Sequence, residues 1–150
     1  MPITFKHRNL PSLLLQAREA VMAQRRPALR AQGLSDQQWR VLRALDRVGE
    51  QGLDMGALAK AAFVLGPSLT GILERMQREG LVTRARAPDD ARRWVVHPTA
   101  KGRETIAALA APIEAQYAQV EEALGRERLA ALYETLDALI DMNEESHAHD

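Results

Sequence analysis

The chain has 150 residues, no cysteine, and 20 Lys and Arg against 20 Asp and Glu, so its formal net charge is zero. A chain of this length can bury a core without metals or cross-links. Lack of cysteine excludes disulfides and thiolate zinc sites, as suits a reducing cytoplasm. The apolar run that starts at Leu13 is soon interrupted by Gln16, Arg18 and Glu19, so neither a signal peptide nor a membrane span is readable.

The first predicted helix runs from Asn9 to Ala31. Leu10, Leu13, Leu14, Ala17 and Val21 fall at helical spacing, Asn9 can cap the start, Pro11 sits in the tolerant first turn, and Gly33 ends the helix. Next, Ser35 and Gln38 have the spacing of a capping box, with Leu34 and Trp39 placed as a hydrophobic staple across it. The second helix should reach about Val48, where Gly49 to Gly52 break it. Asp54 caps a short third helix. Gly66-Pro67 opens a fourth, with Pro67 expected at its first position. Leu69, Ile72, Leu73 and Met76 form the apolar stripe of that helix, and Ser68, Thr70, Gly71, Glu74 and Arg75 lie opposite.

Leu81–Arg86 and Arg93–His97 read as two strands around a polar turn, Ala87 to Arg92. Thr99 caps a fifth helix that carries Ile106, Leu109, Ile113, Val120 and Leu124, with Pro112 expected to kink it. After Gly125 a sixth helix carries Leu129, Leu132, Leu136, Leu139 and Ile140. The stretch from Ser146 on is expected to fray. His147 and His149 there make a poor metal site, because no thiolate can join them.

Charge is unevenly spread. Between Lys60 and Arg103 nine cations face four anions, whereas from Glu121 to Asp150 nine anions face two cations. A basic middle and an acidic end suit one face for phosphate and another for a different task, or two solvated surfaces.

The order is helix, helix, short helix, helix, hairpin, long helix, long helix. A short helix, a turn and a second helix with one exposed face of small residues is the pattern of a helix-turn-helix, and a basic hairpin behind it is a wing. The fold class is therefore mainly α with a small β-hairpin wing. Pro67, Ser68, Thr70 and Gly71 let backbone approach a major groove, and Arg75 can reach phosphate or a guanine edge. Arg84 and Arg86 alternate along one strand and suit phosphate, while Arg92 and Arg93 at the tip suit the electronegative minor groove. Arg75 also has Glu79 four residues on, an ordinary ion pair.

These residues carry a resemblance. Gly66-Pro67-Ser68-Leu69-Thr70, Gly80-Leu81-Val82, and Asp90-Ala91-Arg92 followed by Pro98-Thr99-Ala100-Lys101-Gly102 resemble the MarR family of repressors, over nearly the whole chain. The resemblance implies that Asp90 braces the wing and that Arg92 enters the minor groove. Asn9-Leu10-Pro11, Leu14 to Ala20 and Asp36 to Arg40 are similar to repressors of homoprotocatechuate degradation, with relatives that control nicotinate degradation. That implies a small aromatic carboxylate as effector and no cofactor or metal. Such an acid needs a cation, a flat apolar wall and a polar group. Arg18, Gln38, Trp39 and Arg40, joined by His7, are candidates. Trp39 equally suits the core, and Arg18 and Arg40 equally suit ion pairs.

The terminal helices carry more apolar residues than one wing domain needs to cover. The expected arrangement is a helical dimerisation region, 1–33 with 99–150, around a winged helix-turn-helix at 34–98. Leu10, Leu13, Leu14, Leu129, Leu132, Leu136 and Ile140 would meet a second copy. The expected function is a cytoplasmic homodimeric repressor on a pseudo-palindromic double-stranded DNA operator, with no membrane partner. Two alternatives are a winged-helix protein–protein adaptor, favoured by the zero net charge, and an enzyme acting on an aromatic acid. No nucleophile with its base, no metal set and no phosphate loop supports the enzyme.

Overall fold

The computed structural model describes residues 1–147; the tail beyond, with His149, and the side chain of His147 lie outside the described residues. Six α-helices and three short strands follow in the order α1 (Leu10–Ala31), α2 (Asp36–Val48), β1 (Leu53–Asp54), α3 (Met55–Ala62), α4 (Gly66–Arg78), β2 (Val82–Arg86), β3 (Trp94–Pro98), α5 (Ala100–Leu124) and α6 (Arg126–His147). The chain divides into two compact units, Met1–Pro112 and Ile113–Asp150.

Local chemistry sets the helix starts. Asn9 accepts from the Ser12 amide at the head of α1, and Asp54 from the Ala57 amide at the head of α3. At α2 the Gln38 amide donates to Ser35 Oγ at 3.2 Å while the Ser35 amide donates to Gln38 Oε1 at 3.1 Å, a complete capping box. Both staple residues, Leu34 and Trp39, are buried. Pro67 is the second residue of α4, not the first as expected. Gly66 takes the first position, and the missing proline N–H is harmless at either one.

The sheet has one strand more than the predicted hairpin. β1 pairs antiparallel with β3 (Leu53 opposite Val96), and β3 pairs with β2 from Val82–Pro98 to Arg86–Trp94, in the order β1-β3-β2. Two residues are too short a run to show any period. The 3₁₀ turn Gly49–Gln51 and Gly52, at φ +67°, bring β1 alongside. A Cβ at Gly52 would lie 2.5 Å from the Val96 carbonyl oxygen, so only glycine lets the strands approach.

The first unit's core is Val41, Leu42, Leu45, Leu58, Leu69, Leu73, Met76, Val96 and Leu109, all 1% exposed or less. The α1 stripe is only partly covered within the single chain. Its buried residues are Met22 and Leu29, whereas Leu10, Leu14, Leu15 and Val21 are exposed and Leu13 is half-buried.

One junction explains a motif. Thr99 donates through its hydroxyl to the Gly80 carbonyl at 2.6 Å and accepts from the Gly102 amide at 3.0 Å; Lys101 Nζ donates to the Glu79 carbonyl at 2.7 Å. These bonds satisfy carbonyls that the end of α4 leaves without helical partners. Gly102 lets the α5 backbone lie against Leu81.

In the second unit, Gly125 at φ +89° turns the chain between α5 and α6. Along α6, Leu129, Leu136 and Leu139 are half-buried, and Leu132, Tyr133, Ile140 and Met142 are exposed. Among the described residues, no single helix is long and apolar enough to cross a membrane.

Candidate nucleic-acid interface and effector site

α3 and α4 meet at 98°, the geometry of a helix-turn-helix. Leu69, Leu73 and Met76 bury one side of α4 and Ile72 is half-buried. Pro67, Ser68, Thr70, Gly71, Glu74 and Arg75 are exposed on its outer side. A Cβ at Gly71 would meet nothing within 4 Å, so this face is open to backbone-close approach. Arg75 reaches along the helix to Glu79 Oε1 at 3.4 Å but stays 70% exposed. Glu79 also accepts from Gln38 Nε2 at 3.4 Å, which ties the end of α4 to the start of α2.

The wing tip is built around Asp90. Its Oδ1 accepts from the Arg92 amide at 3.0 Å, and its carbonyl accepts from the Arg93 amide at 3.1 Å. The Ala87 amide donates to the Arg93 carbonyl at 2.9 Å and closes the loop. An aspartate that bonds the backbone two residues on is an Asx turn. Asp89 lies 3.8 Å from Arg93, and Arg92 makes no ion pair among the described residues.

Behind the tip, the guanidinium groups of Arg84 and Arg86 lie 5.0 and 4.5 Å from the Trp94 ring centroid. Arg86 also donates to the Ala91 carbonyl. Trp94 sits opposite Arg86 in the sheet register. Its ring quadrupole attracts both cations. Sequence reading passed over Trp94 as a strand residue; once the hairpin is drawn, its register reveals the pairing.

The five candidate effector residues divide. Arg18 and Arg40 come together on one carboxylate: Asp36 Oδ2 lies 2.7 Å from Arg18 Nη2 and 3.3 Å from Arg40 Nε. Asp36, which sequence reading passed over, was detectable as the acid four residues before Arg40 on the same helix. Arg40 donates from Nη1 to the Phe63 carbonyl at 2.8 Å. Gln38 is spent on its cap and Glu79. Trp39 is 5% exposed, with the Arg43 guanidinium 5.9 Å from its ring centroid. His7 is exposed on the N-terminal arm, beside a cavity of about 460 Å³ lined by Phe5–Pro11. Among the described residues, no group of three or more His, Cys, Asp or Glu is placed to hold a metal ion.

Comparison with known proteins agrees with this architecture. The family model described as the MarR family matches residues 32–93. The chain is 40% identical over 139 residues to the HTH-type transcriptional regulator FarR of Neisseria gonorrhoeae, covering 93% of this chain and 94% of that protein. It is 38% identical over 134 residues to the homoprotocatechuate degradative operon repressor of Escherichia coli, covering 89% of each. The crystal structure of NadR in complex with 4-hydroxyphenylacetate superposes with a TM-score of 0.79 at 41% identity, over 93% of this chain and 97% of that one.

Proposed function

This chain belongs to the MarR family of transcriptional regulators, and from that premise we propose that it is a homodimeric repressor released from its operator by a small aromatic carboxylate. The exposed small-residue face of α4, followed in the chain by a hairpin with a cationic tip, is the observation that carries the DNA part. Pro67, Ser68, Thr70, Gly71 and Arg75 would enter the major groove, Arg84 and Arg86 would meet the backbone, and Arg92, braced by Asp90, with Arg93 beside it, would serve the minor groove. The effector part is supported by NadR, a similar chain that holds 4-hydroxyphenylacetate, and by a relative named for homoprotocatechuate degradation. Control of an aromatic-acid degradation pathway in the cytoplasm is the setting this suggests.

Leu10, Leu13 and Leu14 of α1 and Leu129, Leu132, Leu136 and Ile140 of α6 would form the contact with a second copy. The dimerisation region is 1–33 with 99–150, and the DNA head is 34–98. A two-fold dimer places its recognition helices in successive major grooves, about 34–36 Å apart. The effector site would draw on His7, Arg18, Gln38, Trp39 and Arg40, where an incoming acid would have to compete with Asp36 for Arg18 and Arg40. An acid bound there releases DNA only if it prefers a DNA-incompetent arrangement of the two heads.

Fluorescence anisotropy with DNA from upstream of the gene, with random DNA as control, tests this reading. Tight operator binding relieved by one hydroxylated benzoic, phenylacetic or nicotinic acid is the expected result. Operator binding that no acid relieves would remove the effector role, and no preference over random DNA would favour the adaptor.

Two substitutions separate the DNA contacts. Arg92→Ala should weaken binding to all sequences and lower the salt slope by about one. An unchanged slope and affinity would take the wing out of the interface. Arg75→Ala should cost on the order of 1–3 kcal/mol on the operator and little on random DNA. Equal loss on both would make Arg75 a backbone contact.

A further inference from the structure

We propose that Arg40 is a positioning residue for the recognition helix, holding the α3–α4 turn by the Phe63 carbonyl while Asp36 and Arg18 hold Arg40. The inference rests on the reading that α4 enters DNA.

Phe63 is the left-handed residue of that turn, at φ 57°, and among the described residues it alone adopts positive φ without being glycine. A bulky residue rarely occupies that region. The residue is 87% exposed, so burial of the ring does not anchor the turn. Three residues later α4 begins, and its N-cap, Leu65, supplies no side-chain cap. Core packing of Leu69, Leu73 and Met76 sets the body of α4, and its first turn is held by backbone bonds in the turn before it. The Phe63 amide donates to the Lys60 carbonyl at 3.3 Å and the Val64 amide to the Ala59 carbonyl at 3.0 Å, both back into α3. The bond from Arg40 Nη1 to the Phe63 carbonyl ties the turn to α2.

Arg40 is itself fixed. Its Nε lies 3.3 Å from Asp36 Oδ2, within ion-pair distance but not aligned for a hydrogen bond, and that nitrogen is buried. Arg18 of α1 approaches the same oxygen at 2.7 Å. A planar guanidinium can face a carboxylate with one nitrogen and a carbonyl with another. The point charge of a lysine ammonium cannot reproduce that fork. The chain Arg18, Asp36, Arg40, Phe63 thus runs from α1 through the first turn of α2 to the hinge of the DNA-reading helix.

The test measures wild type, Arg40→Lys and Asp36→Asn by anisotropy on operator and random duplexes across a salt series. Amide hydrogen exchange over residues 63–68 is followed in parallel. Loss of one charge-assisted bond should lower operator affinity about tenfold in Arg40→Lys, with little change on random DNA and an unchanged salt slope. Exchange in the turn should quicken. Asp36→Asn, which leaves Arg40 charged but less firmly held, should move both readouts the same way by less. Equal loss on both duplexes would make Arg40 a phosphate contact and overturn the proposal. A wild-type operator preference that survives Arg40→Lys, with exchange unchanged, overturns the positioning role alone. Absence of preference in wild type overturns the DNA reading together with it.

Discussion

Gly102→Ala is expected to melt roughly 6–12 °C below the wild-type protein, a loss of about 3 kcal/mol. The added Cβ would lie 2.3 Å from the Leu81 carbonyl oxygen, 3.3 Å from the carbonyl carbon and 3.5 Å from Leu42 Cδ2. The first obstacle is backbone, which cannot rotate aside as a side chain can. To relieve it, α5 must lift from Leu81, and the bonds of Thr99 to the Gly80 carbonyl and of Lys101 to the Glu79 carbonyl stretch with it. Helix propensity pulls the other way, since alanine exceeds glycine by about 1 kcal/mol in a helix interior, and less in a first turn. The clash therefore decides the sign. Gly71→Ala is the control: its Cβ enters open space, so stability should hold or rise slightly while operator affinity falls, because the added methyl stands on the face that approaches DNA. Thermal unfolding followed by circular dichroism measures both. A Gly102→Ala melt within roughly 2 °C of wild type, at most about 1 kcal/mol for a chain this long, would show that α5 does not dock as described.

Replacing Leu132 and Ile140 together by Asp should convert a dimer to monomers and lower operator affinity by about 10²- to 10⁴-fold. The two residues are 43% and 57% exposed on a 22-residue helix. Exposed apolar residues repeated at helical spacing gain free energy when a matching surface takes them out of water. Two aspartates in that contact would have to be desolvated without a cation. The heads themselves would be untouched, so residual binding to a half-site and an unchanged circular dichroism spectrum are expected. Sedimentation equilibrium and anisotropy on full and half operators measure the two effects. A double variant that remains dimeric would place the subunit contact elsewhere.

Features whose causes lie within a few residues were legible in the order of residues alone. The capping box of Ser35 and Gln38, the caps Asn9 and Asp54 and the apolar period of Leu69 to Met76 are contacts between near neighbours, and the structure contains each. Together they expose the helix-turn-helix, and the polar stretch from Ala87 to Arg92 exposes the wing. The DNA-facing residues follow from these, because a helix with one buried side has only one side to offer. Tertiary structure alone decided what depends on distant partners. The two-residue β1 exists only because β3 lies beside it. Gly102 shows its reason only where Leu81 approaches. Trp39 fits a wall or a core equally by spacing, and packing made it core. Arg18 and Arg40, on different helices, share Asp36 because α1 and α2 bring them together. Backbone geometry is set by local torsions and local bonds, whereas a charged side chain takes whichever partner the fold brings within reach.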